Sequence, residues 1–221
     1  MRAGEVIAEA WAAYKAHWRH LFPLAFVVYL LISALALLLA VVLGWVGVVI
    51  GTLISLAGIF WLQGALVVAI EDVRDGRADL SIQETLSRLR PRLNTLTLAG
   101  LLAALAVGAG LFLLIVPGLV LLTFWLLIVP VIVLERAAVF RAFGRSYELV
   151  RGHFWSVFGV LVLTVLALIL VGISFGILAS AFDNAVVDLA VDVATQTITA
   201  PFVALAWTMT YYRLRGLKEA A

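Results

Sequence analysis

The chain has no cysteine. Disulfides, thiolate metal sites and a thiol nucleophile are therefore excluded, and cysteine usage says nothing about the redox compartment. Charge is scarce too. Only 13% of the 221 residues are Asp, Glu, Lys or Arg, against about 25% in a soluble domain. Hydrophobic residues make up 65%, and the mean hydropathy is +1.18. No water-soluble fold covers that much apolar surface, so a bilayer must act as part of the solvent. No secretory leader is expected: residues 1–20 are mixed, the apolar run after them is too long for a leader core, and no small-residue cleavage site follows in the usual place. The first apolar run is expected to stay in the mature protein.

Apolar runs long enough to span lie at 21–43, 45–70, 96–116, 119–134, 154–181 and 189–212. A spanning helix needs about 20 residues, and the fourth run is the short one. Pro130 and Pro201 are expected to kink the fourth and sixth. Turns at Leu43–Gly47, Val116–Gly118 and Ala181–Asp188 join the runs into three helical hairpins. The expected fold is all-α: one membrane domain over 1–221, a bundle of six transmembrane helices.

The bases are segregated. Residues 1–20 hold Arg2, Lys15 and Arg19; residues 71–93 hold Arg74, Arg77, Arg88, Arg90 and Arg92; residues 135–153 hold Arg136, Arg141, Arg145 and Arg151; the tail holds Arg213, Arg215 and Lys218. The hairpin turns hold none, and the only charges near them are Asp183, Asp188 and Asp192. By the positive-inside rule both termini and both long loops are cytoplasmic, which requires an even number of crossings.

These charged segments repeat a pattern. "EAWAAYKAHWRHLF", "ETLSRLRPRLNTL" and "RSYELVRGHFWSVF" each precede a hairpin. Each carries apolar residues at i, i+3 and i+7 with a base at i+4: Trp11, Tyr14, Lys15, Trp18; Leu86, Leu89, Arg90, Leu93; Tyr147, Val150, Arg151, Phe154. That spacing makes one helical face. "SIQE" at Ser81–Glu84 is a capping box. The unit read from the sequence is an amphipathic interfacial helix followed by a membrane hairpin, used three times, with the helices near 4–19, 81–93 and 137–151. Basic helices of this kind lie in the headgroup layer, where each base adds about 1 kcal/mol of attraction to anionic lipid.

"VPGLVLLTFWLLIVPVIVLERAAVFRAFGRSYELVRGHFW" resembles the signature of the glycerophosphoryl diester phosphodiesterase membrane domain family, through Pro117-Gly118, Pro130, Glu135, Ala142, Arg145-Ser146, Leu149, Arg151-Gly152 and Trp155. "TMTYYRLRGLKE" at 208–219 is similar to that family's close, with Arg213 where an Asp is common. Related bacterial six-span families of unknown function carry similar arginine-containing helices. The resemblance implies a six-span membrane domain. It implies no phosphodiesterase activity, because the catalytic barrel would need about 250 residues of its own.

Catalytic chemistry is hard to assemble from what is present. His17, His20 and His153 are the only histidines, and all three fall at the basic edge. His17 and His20 stand at i, i+3, with no acid placed to complete a metal set. There is no Gly-x-Ser-x-Gly and no intramembrane Ser–His pair, and the first five runs hold no ionisable residue near mid-depth. The sixth run differs: Asp188, Asp192, Thr195 and Thr199 share a face, with Gln196 beside them, and Gln63 in the second run is a further polar lining candidate. Small residues at Gly47, Gly51 and Ser55, at Gly100, Ala104 and Gly108, and at Gly172, Gly176 and Ser180 read as helix packing.

The expectation is a non-enzymatic bacterial inner-membrane protein with no cofactor, no metal and no nucleic-acid partner. Its partners are anionic membrane lipids, with a membrane protein or a second copy as further candidates. Headgroup contacts are assigned to Arg141, Arg145, Arg151, Arg88, Arg90 and Arg92, with Glu135 and Glu148 as orienting acids. The alternative is a transporter or export component with a polar path along Asp188, Asp192, Gln196, Thr199 and Gln63.

Overall fold

A computed structural model describes residues 2–74, 80–182 and 184–220. Two charges used above, Arg77 and Asp183, lie outside the described residues. Among the described residues there is no strand. The helices in chain order are α1 (Ala3–Leu43), α2 (Trp45–Arg74), α3 (Ile82–Leu89), α4 (Leu93–Leu113), α5 (Ile115–Phe124), α6 (Ile128–Leu134), α7 (Val139–Val150), α8 (Phe154–Ala179) and α9 (Ala185–Glu219). Six helical stretches are long and apolar enough to cross a membrane, with α3–α4 and α5–α6 each counting as one. The chain is an all-α, multi-pass membrane bundle.

The three repeated units join their hairpins in three ways. The first is not a separate element, since α1 runs unbroken from Ala3 to Leu43. The second is α3, capped as its sequence predicts: the Glu84 N–H donates to Ser81 Oγ and the Ser81 N–H to Glu84 Oε2. A single 3-10 turn at Arg90–Arg92, containing Pro91, leads from α3 into α4. The third, α7, is set off from α8 by a bend in which Gly152 adopts φ +92°, a conformation open mainly to glycine.

Two expected turns move. The α4–α5 turn falls at Leu114, which is extended, rather than at Val116–Gly118. Pro117 belongs to the first turn of α5, where a missing N–H costs nothing. Gly118 is a packing glycine, since a Cβ there would collide with Leu111 of α4. In the fourth run the helix breaks at Trp125–Leu127, before Pro130, which sits in the first turn of α6. α9 stays helical through Pro201, and the Tyr14 hydroxyl donates to the Ile198 carbonyl in that turn at 3.2 Å.

Packing is uneven along the bundle axis. The largest fully buried side chains, among them Leu24, Leu66, Leu96, Ile132, Leu149 and Tyr211, all lie in the half next to the basic segments. At the opposite half the hairpin tips present Val41, Trp45, Phe112 and Ile177 outward. Lipid tails are as apolar as those side chains, so their exposure in a bilayer is no loss.

Candidate functional site

The corner between α6 and α7 is four residues, Glu135–Ala138, and its first two point to different tasks. Glu135 caps α6 and its carboxylate is three-quarters buried. It accepts from Arg145 Nε through both oxygens, at 3.2 and 3.1 Å, and from the Tyr211 hydroxyl at 2.9 Å. One carboxylate thus ties α6, α7 and α9 together. Arg145 also reaches Glu148 at 3.5 Å. Burial works against the Arg145 charge, but Glu135 outweighs it and the guanidinium is held more firmly protonated than usual. The headgroup contact expected of Arg145 thus falls on a residue that two carboxylates already engage. Glu135 and Glu148 do orient an arginine, and it is this one.

Ser146, next along α7, closes the α5–α6 break. Its hydroxyl donates to the Phe124 carbonyl at 2.6 Å and accepts from the Leu127 N–H at 3.3 Å. Backbone groups freed by a helix break need partners when buried, and one buried serine supplies both. Phe124 packs at a tilt against Tyr147 and Phe154, and Trp125 meets Phe143 edge-on.

Arg136 takes φ +54°, the only non-glycine with positive φ among the described residues. Such a conformation costs on the order of 1–3 kcal/mol and is held by its surroundings. Here it puts Arg136 on a polar cavity of about 550 Å³, lined also by Glu71 and Asp72 of α2, Arg88 of α3, Pro91 and Arg92 of the 3-10 turn, and Val133 of α6. Arg92 and Arg136 repel one another across it, while Glu71 attracts Arg92. Ion pairs among the described residues engage Arg145, Arg213 and Arg215; none engages Arg88, Arg92 or Arg136. Asp72 accepts from the Leu80 N–H at 3.1 Å and so fixes the approach to α3.

The expected headgroup set therefore divides. Arg88 and Arg92 come together, and Arg136 joins them. Arg90, one turn position away, lies instead at the edge of an apolar groove lined by Leu31, Trp61, Leu86 and Leu93. Arg141 on α7 and Arg151 just past its end are exposed and line none of these cavities. The polar-path set is also dispersed. Asp188 is exposed; Asp192 faces a shallow hollow with Ser33, Ala36, Thr52 and Ser55 that includes neither Gln196, Thr199 nor Gln63. The Thr195 and Thr199 hydroxyls donate to their own helix, to the carbonyls of Val191 and Thr195. Gln63 is buried in α2.

Sequence reasoning missed Arg136, Glu71 and the roles of 211–213. Tyr211 holds Glu135; the Arg74 guanidinium lies 3.6 Å from the centre of the Tyr212 ring; Arg213 pairs with Glu9 at 2.7 Å and Glu5 at 3.4 Å. The signal available for these was the Tyr-Tyr-Arg step itself, polar residues at the end of an apolar run. Glu9, His17, Arg74, Met209, Tyr212 and Arg213 line a second cavity of about 340 Å³ between α1, α2 and α9. Set against family models, curated proteins and solved structures, the chain matches none of them.

Proposed function

We propose that this chain is a non-enzymatic protein of the bacterial inner membrane that binds membrane lipid through the anionic phosphate of its headgroup, at the cytoplasmic rim, in the cavity of Arg88, Arg92 and Arg136. The observation that carries this reading is that three guanidinium groups line one cavity and none is in an ion pair among the described residues. Bringing like charges together is unfavourable unless a counter-charge joins them. Arginine's planar fork matches phosphate oxygens and makes strong charge-assisted hydrogen bonds.

Further support comes from the sequence. The segregation of bases puts this end of the bundle, both termini included, on the cytoplasmic side. The resemblance of 117–155 and 208–219 to the phosphodiesterase membrane domain family fits a membrane domain that works on lipid without the barrel. The basic interfacial helices bring the cavity to headgroup depth.

Native mass spectrometry after extraction in mild detergent tests the proposal. Wild type is expected to carry a discrete phospholipid adduct. Arg88→Ala with Arg92→Ala, and separately Arg136→Ala, should lose it, while Arg141→Ala keeps it. Equal retention by all four proteins would overturn the assignment.

A further inference from the structure

Within that cavity opposite charges are held apart. Glu71 is exposed, feels Arg92 electrostatically, and yet forms no ion pair with Arg88, Arg92 or Arg136. Elsewhere at the same end of the molecule Glu135 and Glu148 close on Arg145, Glu5 and Glu9 on Arg213 and Glu219 on Arg215, while Glu84, held by Ser81 in its capping box, attracts Arg88 without closing on it. Asp72 is no substitute for Glu71, since its carboxylate is buried and serves the Leu80 N–H. The cavity therefore offers a cationic wall from α3, the 3-10 turn and the α6–α7 corner, and a separate carboxylate from α2. Its volume of about 550 Å³ is within the range of small-molecule sites.

A ligand that satisfies both walls carries a phosphate and a cation joined by a short linker. We propose that the cavity selects headgroups bearing a primary ammonium beside the phosphate, with the phosphate on Arg88, Arg92 and Arg136 and the ammonium on Glu71. This rests on the headgroup reading and adds to it the choice among lipids. A headgroup with the phosphate but no amine fills only the arginine wall and leaves the carboxylate facing a neutral alcohol. A quaternary amine keeps the charge but has no N–H to donate, so it forms the weaker contact.

The test uses the full chain in nanodiscs of phosphatidylcholine containing equal amounts of phosphatidylethanolamine and phosphatidylglycerol, with co-purified lipid quantified after extraction. Wild type is expected to enrich phosphatidylethanolamine over phosphatidylglycerol about fivefold, the net scale of one hydrogen bond. Glu71→Gln should bring the ratio to about one with the total phospholipid unchanged, and Glu71→Asp should keep the preference. Replacing phosphatidylethanolamine by its N,N-dimethyl form should lower the enrichment in wild type and leave Glu71→Gln unaffected. Equal retention of the two lipids by wild type, or a preference that survives Glu71→Gln, would overturn the inference and leave the phosphate reading standing. Loss of all difference between wild type and Arg92→Ala would remove both. Adding soluble O-phosphoethanolamine distinguishes the source of the ligand. Undisturbed lipid points to the bilayer, and displacement that needs Glu71 points to a soluble compound of the same chemistry.

Discussion

α3 and α7 carry the same repeated pattern and put their arginines to opposite uses. In each unit the first apolar residue of the pattern stays half exposed (Trp11, Leu86 and Tyr147 at 50%, 42% and 43%), and the next turns inward, with Leu89 and Val150 at 0%. The base that follows, Lys15, Arg90 or Arg151, faces outward in all three. What differs is the flanking residues. In α7, Arg145 and Ser146 are fastened to Glu135 and to the α5–α6 break. In the second unit, Arg88 of α3 and Arg92 of the 3-10 turn flank Arg90 and meet no acid at ion-pair distance among the described residues. The repeated base is exposed in every unit, and the neighbours that the repeat does not specify make the different contacts.

The comparison breaks hardest at Glu135. Glu135→Ala leaves Tyr211 without its acceptor and Arg145 with Glu148 alone, and a loss of about 3 kcal/mol is expected, read as a lowered unfolding midpoint in detergent. Ser146→Ala orphans the Phe124 carbonyl and the Leu127 N–H, for about 2 kcal/mol. Neither should change which lipid a folded molecule retains. Arg136→Gly sharpens the contrast from the other side. It relieves a left-handed backbone and should raise stability by about 1 kcal/mol, while the lipid adduct is lost. A variant that is more stable but empty would separate fold from site in one measurement. Ser81→Ala removes the capping box of α3 and should cost about 1 kcal/mol, with weaker lipid retention because α3 carries Arg88. Smallest of all, Arg141→Ala should shift stability by less than about 0.5 kcal/mol and leave the adduct intact.

Much of the fold was legible. Six apolar runs and the placement of every base gave the bundle and its pairing into hairpins, because a bilayer allows few other solutions. The capping box at Ser81 was legible for the same local reason. The site was legible only in part. Arg88 and Arg92 stand four residues apart in sequence and could be placed on a basic helix, but Arg136 reaches them through a left-handed corner that no periodicity encodes. The Arg145–Glu135–Tyr211 contact was not legible, since Glu135 is ten residues from Arg145 across a turn and Tyr211 is 76 residues beyond Glu135. The turn at Leu114 was misplaced because Pro117-Gly118 reads as a turn, whereas in a membrane hairpin the same pair serves a helix start and a close helix contact.

Tyr211, Tyr212 and Arg213 hold α6–α7, α2 and α1 respectively. In order of synthesis these three residues follow everything they fasten. A growing chain can insert its first two hairpins while Glu135 and Arg74 still lack the tyrosines of α9, and Glu5 and Glu9 lack Arg213. A single turn of the last helix then closes all of these contacts together. A chain stalled shortly before residue 211 would lack all of these contacts at once.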